Sequence, residues 1–193
     1  MPLIKVIVGS TRPGRFGPQP AKWFLDIAKK RHDVTFELVD LQTINLPLLD
    51  EAVPPSMQKY ANEHTKAWSK IIGEADGFVF VTPEYNHSMS GALKNAIDFL
   101  FFEWHYKAVA FLSYGGGAGG SRAVEHLRGV AAEVKLFQIR ESVLIPNYWT
   151  NLNEKGEYQF MPEQEAAANA MLDELIFWTA QFQRGRKEKS AGK

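Results

Sequence analysis

Two periods run through the chain. Short segments dominated by β-branched and other apolar residues alternate with longer ones whose apolar residues recur every three or four positions, the marks of strands and helices respectively. Residues 3–8 read as a first strand, and 34–39, which alternate apolar with polar, as a second. The short continuous apolar runs at 77–81 and 108–113 are as expected of central strands covered on both faces. A weaker strand lies within 135–145. Helical spacing covers 18–30, with Trp23, Phe24, Ile27 and Ala28 on one side, and then 56–73, 91–102, 121–133 and 163–182. Residues 41–55, rich in leucine and proline, read as a loop.

Strand–helix alternation with short connections implies an α/β architecture, a parallel sheet with helices on both faces. Five strands suit the flavodoxin-like doubly wound order, which places a ligand at the carboxyl ends of the strands near the point where the order reverses. No repeat, low-complexity interior or linker interrupts the pattern, so residues 1–183 are expected to form one domain. Residues 184–193 carry the one basic concentration, with Arg184, Arg186, Lys187, Lys189 and Lys193, and lack apolar residues to bury. They are expected to be a frayed, solvated tail.

Composition narrows the chemistry. With 193 residues, 45% hydrophobic and 23% charged, the chain fits a soluble globular protein with a sizeable core. A formal net charge of zero gives no global basic field to favour nucleic acid. The absence of cysteine excludes disulfides, thiolate metal sites, cysteine nucleophiles and CxxC redox chemistry, so any redox activity must come from a cofactor. No apolar stretch reaches the ~18 residues of a membrane span. The first strand starts without a signal-peptide pattern, so the expected location is the cytoplasm. His32, His64, His87, His105 and His126 show no ligand-pair spacing, and no metal site is expected.

Three loops stand out at the expected carboxyl ends of the first, third and fourth strands. The first, Gly9-Ser10-Thr11-Arg12-Pro13-Gly14-Arg15-Phe16-Gly17, has the layout of a phosphate-binding turn. Glycine permits close backbone approach, the hydroxyls and arginines offer donors, and the following helix is expected to point free N–H groups at the anion. It falls short of a Walker loop, because Phe16 stands where a magnesium-holding hydroxyl is required. The second loop, 82–91, gathers Glu84, Tyr85, Asn86, His87 and Ser88 before a helix capped near Ser90. The third, 113–121, is glycine-dense and formally contains G-x-G-x-x-G at Gly115, Gly117 and Gly120, although that fingerprint normally sits in the first β–α turn. Bare backbone there can also lie flat against a planar ring. Gly119-x-Ser121-x-Ala123 is a relaxed nucleophile elbow, but no histidine follows His126 to complete a hydrolase triad in the required order.

These segments resemble a known family. The first loop, Pro83-Glu84-Tyr85-Asn86-His87-Ser88 with Gly91-Ala92-Leu93-Lys94-Asn95-Ala96-Ile97-Asp98, and Ser113-Tyr114-Gly115-Gly116 are similar to the NADPH-dependent FMN reductases, flavodoxin-like flavoproteins that include azo, quinone and chromate reductases. The resemblance implies that Ser10, Thr11 and Arg12, with backbone from Arg15 to Gly17, hold the FMN phosphate. It implies that Pro83, Glu84, Tyr85 and Asn86 line the isoalloxazine ring, and that Ser113, Tyr114, Gly115 and Gly116 flank its other edge. Many members have serine and asparagine where this chain has Arg15 and Gly17, so Arg15 is left between the phosphate, the nicotinamide nucleotide and a neighbouring subunit.

The function implied is electron transfer from NADPH or NADH through FMN to a small acceptor (a quinone, azo compound, free flavin or metal oxyanion) by ping-pong turnover, with no side chain required as catalytic acid or base. The alternatives are a flavodoxin-like carrier without a nicotinamide site and a flavin-free Rossmann dehydrogenase. Phe99, Phe102, Trp104 and Tyr106 lie partly off the core-facing side of their helix. Either they close a thick core with the Trp149 region or they form a subunit interface. The family commonly dimerises and sometimes forms tetramers, so the expectation is a homodimer.

Overall fold

The computed structural model describes residues 1–191. Its centre is a five-stranded sheet in the order β2-β1-β3-β4-β5, every neighbouring pair parallel. The strands are β1 (Leu3–Val8), β2 (Thr35–Asp40), β3 (Gly77–Pro83), β4 (Lys107–Gly115) and β5 (Leu136–Pro146). This is the flavodoxin-like doubly wound arrangement expected. β3 and β4 are buried at every position, whereas β2 and β5, at the edges, are partly exposed. Continuous apolar runs therefore became central strands because both of their faces are covered.

The faces differ in what covers them. On one, Ile4, Val6, Val8, Val79 and Val81 pack against α1 (Pro18–Ala28) and α6 (Pro162–Ala191). On the other, Ile7, Phe78, Phe80, Val109 and Phe111 pack beneath three helices. These are α3 (Glu63–Glu74), α4 (Gly91–Asp98) and α5 (Ser121–Glu133), while a single-turn α2 (Leu41–Ile44) follows β2. Strand alternation thus sorts small β-branched residues to one side and phenylalanines to the other. No helix among the described residues is long and apolar enough to cross a membrane.

Several boundaries differ from the sequence reading for identifiable reasons. The 41–55 loop contains α2, because the Asp40 carboxylate accepts the Gln42 N–H at 3.0 Å and caps a turn. The helix expected from 56 starts only at Glu63, after a 3-10 turn at Pro55–Met57 that ends in left-handed Gln58. The Glu51 carboxylate accepts the Ala61 and Asn62 N–H groups there. The helix expected over 91–102 ends at Asp98, and Phe99 and Trp104 turn fully into the chain's own core. There Trp68, Phe78 and Phe80 meet Trp104, and the Trp104 indole N–H reaches Ile97 O at 3.1 Å. The Trp149 region is not part of this cluster.

The expected tail is a correction. α6 continues through Arg184 to Ala191 because its polar residues find partners. Arg184 pairs with Glu188 one turn on, Arg186 pairs with Asp76 and donates to Tyr106 O at 2.6 Å, and the Lys189 ammonium lies 4.3 Å from the centre of the Tyr106 ring. Gly192 and Lys193 lie outside the described residues.

Where α6 crosses β3, a Cβ added to Gly77 would lie 2.5 Å from Thr179 Oγ1, an oxygen that is buried without a hydrogen-bond partner. Gly77→Ala is expected to destabilise the fold by about 1–3 kcal/mol through overpacking. Adding Thr179→Ala should recover most of that loss, which a double-mutant cycle of urea unfolding would read. Additive losses would mean that the close approach does not hold in solution.

Candidate functional site

The chain order reverses at β1, which sits between β2 and β3, so a crevice opens at the carboxyl ends of β1 and β3. The three loops marked in the sequence meet there. Gly9 N–H donates to Val81 O at 2.9 Å, and the Ser90 hydroxyl donates to Gly9 O while accepting from Leu93 N–H at 3.2 Å. Ser90 therefore caps α4 as expected and also ties the first loop to the second. Ser10 Oγ and Tyr85 Oη are 2.8 Å apart. Glu84 N–H donates to Tyr114 O at 2.9 Å and joins the second loop to β4.

The second loop is a miniature hairpin. Tyr85 N–H donates to Ser88 O at 2.8 Å and Ser88 N–H to Tyr85 O at 3.0 Å, with Asn86 and His87 at φ 49° and 66°. Two consecutive left-handed residues make a primed turn of the kind that closes two-residue loops. The turn leaves Tyr85, Asn86 and His87 exposed at the rim. Its base is anchored on α5, where Glu84 accepts from Arg122 Nε at 2.6 Å and from Arg122 N–H at 3.2 Å. His126 Nδ1 is 3.0 Å from Ser88 Oγ. Burial opposes ionisation of Glu84, but the hydrogen bonds from Arg122 override it and hold the carboxyl below its ordinary range. The Glu84 side chain is thus turned into this anchor, while Pro83 is buried at the end of β3.

In the first loop the candidates divide. Thr11 and Arg12 are exposed, and the Tyr85 hydroxyl, with that of Tyr148 behind it, raises the Arg12 pKa. Arg15 is committed elsewhere, bonding both oxygens of Asp40 at 2.5 and 2.6 Å and Ser10 O at 2.7 Å. The expectation of free helix N–H groups is also corrected. Pro18 and Pro20 have none, and that of Gln19 donates to Phe16 O at 2.9 Å. An anion here must use the loop itself. Tyr114 likewise does not present its side chain at the rim. It is buried beneath the first loop, edge-on to Phe16 at 5.1 Å, and burial raises its pKa. A Cβ on Gly17 would lie 2.9 Å from its hydroxyl, which explains glycine at that position.

The third loop offers backbone. Ser113 Oγ is buried and donates to Gly119 O at 2.9 Å, Gly115 ends β4, and Gly117 has open space where a Cβ would point. Beside it stands a group the sequence reading missed. After β5, Asn147 N–H donates to Gly116 O at 3.2 Å, placing Trp149, 54% exposed, against Gly116. Tyr148 stacks on Phe16 at 4.4 Å. The signal was positional, since 147–149 follow a fifth strand whose end shares the same rim.

Residues 2–150 match the NADPH-dependent FMN reductase family. The chain belongs to that family. An NAD(P)H-dependent FMN reductase of Schizosaccharomyces pombe is 44% identical over 137 residues, 70% of this chain and 68% of that one. The NAD(P)H:quinone oxidoreductase of Solanum tuberosum is 34% identical over 160 residues, covering 78% and 76%. Among solved structures, FerB from Paracoccus denitrificans, a flavoenzyme NAD(P)H:(acceptor) oxidoreductase, superposes with a TM-score of 0.72 at 21% identity, covering 94% of this chain and 99% of that one. This FMN reductase family member is therefore an oxidoreductase on a flavodoxin-like fold.

The Arg15–Asp40 pair sets a pH dependence. Burial alone would raise the Asp40 pKa, but hydrogen bonds from Arg15 and Gln42 N–H prevail and lower it. A lowered folded-state pKa gives stability that is present above the unfolded value of about 4 and lost as pH falls through the folded one. Asp40→Asn is expected to cost about 1–2 kcal/mol at neutral pH, discounted because both side chains are partly exposed, and to flatten the acid limb of unfolding free energy against pH. An unchanged acid limb would remove Asp40 from that role.

Proposed function

We propose that the rim binds FMN and that the protein is a quinone- and azo-type reductase driven by NADPH or NADH. The carrying observation is the match between the two ends of the rim and the two ends of FMN. Thr11 and Arg12 supply a hydroxyl and a guanidinium with no carboxylate partner among the described residues, suited to a phosphate. The other end joins bare backbone at Gly116 and Gly117 to the ring of Trp149, suited to a flat heterocycle, while the exposed Tyr85 is tied by its hydroxyl to Ser10. Bound there, FMN supplies a two-electron carrier that donor and acceptor use in turn, so turnover is ping-pong.

The chain's own residues do the positioning. Arg12 and Thr11 hold the phosphate end, with Ser10 fixing Tyr85 behind them. Pro83 and Asn86, with the backbone of Glu84, Ser113, Tyr114, Gly115 and Gly116, shape the ring seat, while the side chains of Glu84 and Tyr114 keep its walls in place. Arg15 and Gly17 act from behind the loop, one through Asp40 and the other by leaving room for Tyr114. The relatives support the acceptor class by their names, including a 2-hydroxy-1,4-benzoquinone reductase of Burkholderia sp and an NADPH azoreductase of Bacillus sp.

The protein reconstituted with FMN should show a flavin absorption band that NADPH bleaches and a benzoquinone restores. A band that NADPH leaves untouched would favour a flavodoxin-like carrier, and no band at all would sink the flavin reading. Arg12→Ala should weaken FMN binding by one to two decades, the worth of a charge-assisted contact of about 1.5–3 kcal/mol. Equal affinity of wild type and variant at moderate salt would place the phosphate elsewhere.

We also propose a homodimer, on grounds other than the aromatics first considered, since Phe99 and Trp104 are internal. Leu48, 85% exposed, and its neighbour Leu49 form an uncovered apolar surface beside α4, and Asn95 pins it by bonds to Pro47 O and Leu49 N–H. Sedimentation equilibrium should give twice the 21.8 kDa chain mass at micromolar concentration; the single-chain mass would refute it.

A further inference from the structure

At the opposite end of the sheet, the amino ends of β4 and β5 and the last turns of α6 border an open cavity of about 530 Å³. It is lined by Phe102, His105, Tyr106, Lys135, Arg186 and Lys189. The volume lies within the range of small-molecule sites. β4 is nine residues long, which puts about 26 Å between this cavity and the rim of the flavin loops. Nothing in the proposed reaction uses it.

The backbone that forms it is unusual. Tyr106 and Lys135 both have positive φ, 57° and 50°, and Tyr106 N–H donates to Lys135 O at 2.9 Å. Neither is glycine, so both positions carry a backbone cost of the kind concentrated at ligand sites. The result brings two ammonium groups to one ring. Lys189 Nζ is 4.3 Å and Lys135 Nζ 5.9 Å from the centre of Tyr106, and Lys189 Nζ donates to the Tyr106 hydroxyl at 3.2 Å. Among the described residues neither ammonium meets a carboxylate. Of the nearby acids, Asp76 is bound by Arg186, and Glu103 by Tyr60 and Ser69.

His105 adds an orphan. It is 7% exposed, and its Nε2 is buried without a hydrogen-bond partner. Its ring stands edge-to-face with Phe102 and Tyr106, at 5.0 and 5.7 Å, so the imidazole completes an aromatic wall on the cavity. The two lysines also bear on the protonation of both side chains. Burial first and then Lys135 lower the His105 pKa, and Lys189 first and then Lys135 lower that of Tyr106. Burial leads for His105, where Glu103 opposes Lys135, so it is the phenol of Tyr106 that reports the nearby positive charge.

We propose that this cavity is a second ligand site, for a small aromatic carboxylate. The carboxylate bridges Lys135 and Lys189, and the ring lies against Phe102 and Tyr106, both partly exposed. An aliphatic anion would use the charge but leave the aromatic wall uncovered, which is why a planar apolar body belongs to the ligand. The inference does not depend on flavin binding, because the two places share no residue.

Sodium benzoate is the probe, titrated calorimetrically into the full-length protein with and without saturating FMN. One saturable site is expected, unaffected by FMN and weakened at least tenfold by Lys135→Gln and by Lys189→Gln. Lys135 lies in the turn between α5 and β5 and Lys189 on α6, so fraying of the α6 end cannot account for both losses. Acetate should bind at least tenfold more weakly than benzoate. The proposal is overturned by an absence of saturable binding, by binding that survives in both variants, by loss of binding when FMN is added, or by acetate binding as tightly as benzoate.

Discussion

The peptide of Gly9 is gripped from both sides, its N–H by Val81 O and its carbonyl by the Ser90 hydroxyl. The joining of the first loop to the second depends on that grip. It closes the seam between β1 and β3 where the strand order reverses, and it uses the same Ser90 oxygen that starts α4. With the first loop fixed to the second, Ser10 can meet Tyr85, and Tyr85 can stand beside Arg12. The second loop is held independently by α5 through Glu84 with Arg122 and Ser88 with His126. A ligand entering such a site finds its contacts already ordered, which reduces the entropy lost on binding.

Much of this was legible because it rests on local pattern. The runs at 77–81 and 108–113 could be recognised as central strands from the absence of alternation, and Ser90 as a cap from its place before an apolar helical run. The loops were legible because ligand-facing residues concentrate at strand ends in this kind of sheet. What could not be read was the pairing of long polar side chains across the fold. Arg15 could serve the phosphate, the nicotinamide nucleotide or a neighbouring subunit until Asp40, 25 residues later, claims both of its terminal nitrogens. Arg186 looks solvated until Asp76 is brought beside it. Tyr114 looks like a ring contact until Phe16 and Gly17 close over it. Such contacts depend on how helices and loops settle on the sheet, and no short-range spacing encodes them.

The arginines show how charge is divided between scaffold and ligand. Three of them, Arg12, Arg15 and Arg122, stand near the rim, and two are neutralised by acids of this chain. The paired ones shape loops, one through Asp40 and the other through Glu84, while Arg12 bonds the phenols of Tyr85 and Tyr148 and meets no carboxylate among the described residues. Guanidinium groups are well suited to either task because their planar fork satisfies two acceptors at once. A neutral overall composition therefore coexists with a local guanidinium that has no carboxylate partner among the described residues.

The order of the strands also bears on how the site comes into being during folding. Its parts come from residues near 10, 85, 115 and 148, and β1 pairs with both β2 and β3, so the rim exists only once distant stretches have docked. All-parallel pairing of this kind delays contact formation, because chain entropy must be lost before the pairings stabilise anything. A half-built sheet of β1 and β2 alone has no rim. Any ligand that binds at the rim therefore binds only the completed central sheet, and would draw the equilibrium toward the finished fold by mass action.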